Sequence, residues 1–191
     1  MHIPEFLQKH IIREGRCDDV DIKHELNNYL KLQFSQAGLV NAVAEYDIYL
    51  NHPLLDSLKM EDKTIKKVII QYLLKKEMVL NVIDKQNAGQ ASLPATIREM
   101  VVNGYNPQRS GDLQIITKSG VMDSPKTGMS HGVWNPYDAH IPLVFYGWGI
   151  NRGHLTKETY MTDISPTICS LLHIQMPSGN TGKVIGDVIK N

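Results

Sequence analysis

Two short apolar segments, Asp112–Thr117 (Asp-Leu-Gln-Ile-Ile-Thr) and Pro142–Tyr146 (Pro-Leu-Val-Phe-Tyr), do most to narrow the folds open to this chain. Both have the β-branched and apolar make-up of strands buried in a core sheet. Between them runs a long stretch rich in Gly, Ser, Pro and Lys, from about Lys118 to Ala139. A loop of that length inside a compact domain is usually functional or disordered. Its tip reads Gly128-Met129-Ser130-His131-Gly132. Flanking glycines allow a sharp turn that holds an imidazole at a strand edge, the usual setting for a metal ligand carried above a sheet. On composition alone, a loop histidine satisfied by backbone groups competes with that reading.

The residues before this loop suit a small α+β unit with helices on one face of a sheet. Pro4–His10 reads as a short helix. From Asp21, the residues Ile22, Leu26, Tyr29, Leu30 and Phe34 recur at helical spacing, with a cap expected at Gly38. Segments 39–44 and 47–50 read as strands bounded by Asn51-His52-Pro53. A helix is expected over about 61–76, a strand over 78–83, and a helix over 93–102. Further along, Asp163-Ile164-Ser165-Pro166-Thr167 opens a helix whose packed face is Ile164, Ile168, Leu171 and Leu172. The expected division is a subdomain at 1–110 and a sheet-bearing part at 111–191.

Charge removes several function classes. Lys plus Arg and Asp plus Glu each number 20, so no net field recruits nucleic acid or an anionic membrane. No apolar run reaches a membrane span, and Met1-His2-Ile3-Pro4-Glu5 lacks the basic and apolar regions of a targeting signal. Cys17 and Cys169 are far apart and form neither a zinc knuckle nor a disulfide framework. Cys169, among Ile168, Leu171 and Leu172, is expected to be a buried structural thiol. His10, His24 and His52 share no converging spacing and read as surface or capping residues.

The His131 loop, followed by Tyr137-Asp138-Ala139-His140-Ile141-Pro142-Leu143-Val144-Phe145-Tyr146-Gly147, resembles the C-terminal end of the alkaline phosphatase superfamily. Asp163–Thr167 and Met176-Pro177-Ser178-Gly179-Asn180-Thr181-Gly182-Lys183 follow in the matching order. The branch it resembles is the bacterial one similar to nucleotide pyrophosphatases and phosphodiesterases. The resemblance implies a three-layer α/β/α core, of which this chain is the C-terminal part with a small α+β subdomain. It also implies two zinc ions about 4 Å apart that activate a Thr or Ser nucleophile and stabilise the phosphoryl group of a monoester or diester. By position, His131 matches the late histidine ligand of one zinc. The family's other motifs, Asp-x-x-x-His on a loop and an adjacent Asp-His-Gly, are absent from these residues. Ile3-Pro4-Glu5-Phe6-Leu7-Gln8 resembles the stretch that follows Asp-His-Gly. The resemblance therefore implies a chain that lacks its upstream catalytic portion, is inactive alone, and derives from an exported parent.

Several neighbours of His131 carry alternatives. Asp138 either accepts a hydrogen bond from the other ring nitrogen of His131 or caps the next strand. His140 is expected to pack or fix the loop rather than bind metal. Arg109 either forks onto a substrate phosphate or helps fix a turn. Trp134 and Tyr137 line a pocket or shield the loop. Met129, Val133-Trp134-Asn135 and His173 depart from the family's pattern, His173 standing where a Gly is common. Two other readings remain: a stand-alone non-catalytic remnant, and a sulfatase-like hydrolase, although the late sulfatase motif usually offers a lysine.

Overall fold

The computed structural model describes residues 15–16, 18–122 and 134–190. The helix expected at Pro4–His10, Cys17 and His131 lie outside them. The chain divides into two compact units, residues 1–140 and 141–191.

In the first unit a two-residue strand, β1 (Gly15–Arg16), precedes α1 (Asp19–Phe34). The Asp18 carboxylate accepts from the backbone N–H groups of Val20 and Asp21, satisfying donors that an uncapped helix leaves unpaired. Ile22, Leu26 and Leu30, four apart, form the buried stripe of α1. The hairpin β2 (Val40–Ala44) and β3 (Asp47–Leu50) follows, joined through Glu45 and Tyr46 at φ 50° and 67°. Next come α2 (His52–Leu58), capped by the Asn51 side chain with Pro53 in its first turn, and α3 (Asp62–Leu73). Then β4 (Val79–Asp84), a 3-10 segment Lys85–Gln90, α4 (Ala95–Gly104), β5 (Leu113–Thr117) and β6 (Val121–Met122) complete the sheets. A single helical turn, α5 (Pro136–Ala139), closes the unit.

The main sheet has the order β2-β3-β5-β4, with every pair antiparallel. β6 pairs separately with β1 in parallel. One sheet face packs on α1, α2 and α3, where Leu26, Leu30, Leu55, Ile65, Ile69, Val82, Leu113 and Ile115 form the main core. Each such side chain contributes about 1.5–3 kcal/mol by leaving water. The opposite face is covered as well: Ile83 and Ile116 pack with Ala88 and Val101, against Leu93, Ile97 and Trp134. Helical segments therefore lie on both faces of the sheet, not on one as the sequence pattern suggested. Adjacent residues in a strand point to opposite sides, so Val82-Ile83 and Ile115-Ile116 each need two apolar layers.

β5 lies between β3 and β4, so residues just past 110 complete the first unit's sheet. By compactness the chain divides at 140/141.

The second unit is organised by α6 (Ile164–Leu171), entered through the 3-10 turn Met161–Asp163. Asp163 does not cap α6 with its side chain. Its buried carboxylate instead accepts from Tyr160 N at 3.0 Å and Lys183 N at 2.8 Å. The Thr167 hydroxyl donates to Asp163 O at 2.6 Å and accepts from Ile185 N at 2.9 Å. These bonds fasten residues 183–185 along the start of the helix. Cys169 is buried in α6, as expected of a structural thiol. The strand expected at 142–146 is not formed: this segment has no regular structure. An apolar run becomes a strand only where another strand pairs with it, and none does so among the described residues. Ile150 and Ile189 make an isolated bridge instead.

Candidate functional site

The segment that carries His131 leaves the sheet at β6 and returns at Trp134, and both ends are anchored. Trp134 packs against the cluster of Ile83, Ala88, Val101 and Ile116. The Tyr137 hydroxyl accepts from Gly120 N at 2.9 Å, tying α5 to the turn before β6. The aromatic pair flanking the loop thus has a bracing role: one ring packs against the smaller core and one hydroxyl bonds the turn before β6. Asp138 sits in the first turn of α5, with its N–H on Asn135 O at 2.9 Å. No strand follows for it to cap. His140 is exposed at the end of α5, its N–H on Pro136 O at 2.9 Å. His131 itself lies outside the described residues.

Arg109 occupies a turn held by other side chains. The N–H groups of Arg109 and Ser110 both donate to Asn106 O, and Gln108 N donates to Asn106 Oδ1 at 2.9 Å. The Ser110 hydroxyl accepts from Asn106 N at 3.0 Å. Arg109 contributes only its backbone, and its exposed guanidinium has no partner among the described residues.

A charge cluster nearby was not singled out from the sequence. Lys66, buried on α3, reaches Asp62 and Asp84 at 3.3 Å and Asp112 at 4.0 Å. Burial alone would pull the ammonium pKa down, but Asp84, Asp62 and Asp112 together carry it above the usual lysine value. Asp112 also binds His52 Nε2 at 2.9 Å through Oδ1 and accepts Leu50 N at 2.8 Å through Oδ2. His52 is therefore more than a surface residue, for it joins α2 to the entry of β5. Lys85 pairs with buried Asp47 at 2.7 Å, and Gly111 N donates to the same oxygen at 3.2 Å. The sequence signal was Lys66 lying between the core residues Ile65 and Ile69, with Asp62 one turn before it.

Among the described residues no group of three or more His, Cys, Asp or Glu side chains stands together to hold a metal ion. None of their helices is long and apolar enough to cross a membrane.

No protein-family model matches the chain. Individual relatives do. The chain is 41% identical over 189 residues to alkaline phosphatase PafA of Elizabethkingia meningoseptica, a match that covers 98% of this chain and 34% of that protein. It is 48% identical over 132 residues to alkaline phosphatase PhoV of Synechococcus elongatus, covering 69% of this chain and 24% of the relative. A Myroides odoratus protein named calcium-transporting ATPase is 38% identical over 191 residues, 99% of this chain and 35% of that one. The crystal structure of wild-type PafA superposes with a TM-score of 0.91 over 98% of this chain and 36% of the PafA chain. A multiply substituted PafA superposes at 0.89. The chain thus spans about a third of the length of the relatives that match nearly all of it.

Proposed function

This chain belongs to the alkaline phosphatase superfamily as a portion of its α/β fold, and we propose that it is the C-terminal part of an exported, zinc-dependent phosphohydrolase in which His131 is a metal ligand. The observation that carries this reading is the agreement of nearly the whole chain with an alkaline phosphatase, at 41% identity and a TM-score of 0.91. The enzyme hydrolyses phosphate monoesters or diesters by in-line attack of a Thr or Ser contributed by the portion not spanned here. Zinc, when bound, polarises the phosphoryl oxygens and activates the nucleophile. The described residues do not make a metal centre by themselves. The remaining ligands therefore come from outside the described residues. This chain's own part is positional: Trp134, packed against the smaller core, and Tyr137, bonded to Gly120 N, hold the ends of the segment that contains His131. A single histidine cannot hold zinc tightly in four-coordinate geometry, so the isolated chain is inactive.

The test uses the full-length enzyme. His131→Ala should lower bound zinc per molecule and cut aryl phosphate hydrolysis by at least about a hundredfold. Unchanged zinc and rate would show that His131 is not a ligand. The isolated chain with added zinc should show no turnover, and clear hydrolysis would mean that its ligand set is complete. Sequencing the DNA upstream of the Met1 codon tests the fragment reading directly. An in-frame nucleophile motif and Asp-His-Gly support it, and an in-frame stop codon directly upstream overturns it.

A further inference from the structure

The turn after α4 and the end of β3 line an open cleft of about 240 Å3, with His52 and Arg109 among its lining residues. Its lining combines Arg109 and the single carboxylate of Asp112 with the neutral hydrogen-bonding side chains of Asn41, Tyr49, Tyr105 and Gln108. Arg109 has no ion-pair partner, and the hydroxyls of Tyr49 and Tyr105 and the Gln108 amide have none either among the described residues. Asp112 is the one carboxylate on the wall, and it is already engaged by Leu50 N and His52 Nε2, with the Lys66 ammonium behind it. Desolvation, Asp47 and Glu45 all raise the Tyr49 pKa, so the phenol stays protonated and can donate. One residue with a free planar cation, Arg109, therefore lines the cleft among several neutral hydrogen-bonding groups.

That arrangement selects a particular chemistry. A guanidinium fork matches a planar carboxylate in a bidentate pair. A single uncompensated positive charge balances one carboxylate better than a dianion. The volume equals about eight waters, more than a lone acetate fills, and the surrounding phenols and amide suit hydroxyl groups. We propose that this cleft binds a polyhydroxylated carboxylate of sugar-acid type, its carboxylate on Arg109 and its hydroxyls toward Tyr49, Tyr105 and Gln108. This goes beyond phosphate ester hydrolysis, and binding to the chain can be measured without turnover.

The experiment is an amide NMR titration of the 191-residue chain with glucuronate, glucose, acetate and inorganic phosphate. Glucuronate should saturate with shifts centred on Leu50 and residues 108–111, while glucose and acetate each bind at least tenfold more weakly. Arg109→Ala should weaken glucuronate at least tenfold, and Arg152→Ala, an exposed arginine of the other unit, should leave it unchanged. Tyr105→Phe, which keeps the ring and removes the hydroxyl, should weaken glucuronate but not acetate. Shifts scattered over surface lysines, or equal affinity in the Arg109 variant, would overturn the site. Phosphate binding as tightly as glucuronate would overturn the sugar-acid assignment.

Discussion

Lys66 sits one position after Ile65 and three before Ile69, so its stem enters the core while its ammonium ends among Asp62, Asp84 and Asp112. Removing one partner of such a buried cluster leaves carboxylates without their counter-charge. Lys66→Met is expected to cost about 2–4 kcal/mol, read as a lower denaturant midpoint at unchanged m. The pH dependence has a definite sign, because the folded-state pKa lies above the unfolded value. The contribution is complete below the ordinary lysine value of 10.5 and is lost as pH rises through the higher folded value. The stability gap between wild type and variant should therefore stay flat on the alkaline side of neutrality and narrow only above about pH 10.5. A gap that closes between pH 7 and 9 would contradict the ion cluster.

His173 poses the opposite case, a local cost. It takes φ 53° just past α6, with Ile174 N on Cys169 O at 3.0 Å and its own N on Ser170 O at 3.3 Å. That is a Schellman ending, whose left-handed residue is usually Gly because a Cβ is disfavoured there. The Gly that the family resemblance leads one to expect at this position would have a backbone reason. His173→Gly should stabilise the chain by about 1 kcal/mol, measured by chemical denaturation, and His173→Ala should not. An equal response of both variants would remove the backbone explanation.

At the level of elements, periodicity alone located α1, α3, β3, β4 and β5 to within a few residues. Their apolar spacing is set by local geometry and needs no knowledge of partners. Asn51-His52-Pro53, which the sequence marks as the boundary of β3, also starts α2, for an Asn cap followed by Pro in the first turn is a helix start. The position of α4 was visible, but its side of the sheet was not, because that depends on which layer meets Ile83 and Ile116. The Met176–Lys183 motif, noticed for its family resemblance, proves to be a packing device. A Cβ on Gly182 would stand 2.0 Å from the Thr162 carbonyl oxygen, while the next residue, Lys183, bonds Asp163. Gly182→Ala must push residues 182–185 off the start of α6, at a cost of about 2–3 kcal/mol. Hydrogen exchange at Lys183 and Ile185 should accelerate, and preserved protection at both amides would refute the clash. Of the candidate site, the aromatic flanks Trp134 and Tyr137 stand out in the sequence, while the loop that carries His131 lies outside the described residues. The Lys66 cluster does not stand out, because its carboxylates come from three separate segments.

Across the whole molecule, the two units differ in how far their apolar residues are satisfied. The first buries a continuous core on one sheet face and a smaller one on the other. In the second, Ile141, Val144, Tyr146 and Trp148 are 53%, 81%, 98% and 77% exposed. Residues 141–146 also make no backbone–backbone hydrogen bond among the described residues. Composition still marks this run as a strand, so what it lacks is a neighbour and not propensity. On the proposed function, in which this chain is part of a longer enzyme, the strand partners of this run come from the rest of that enzyme, for the chain spans about a third of the relatives that match nearly all of it. Hydrogen exchange should then find amides 143–146 unprotected in the isolated chain and protected in the full-length enzyme. The isolated chain should also bind an apolar dye that the full-length enzyme does not, as expected of an apolar patch left uncovered. Val144→Asp should cost little in the chain alone, where the side chain already meets water. In the full-length enzyme the same change should lower stability by about 2 kcal/mol or more, because it buries a charge without a partner. An equal effect in both contexts would mean that the segment stays exposed in the complete enzyme.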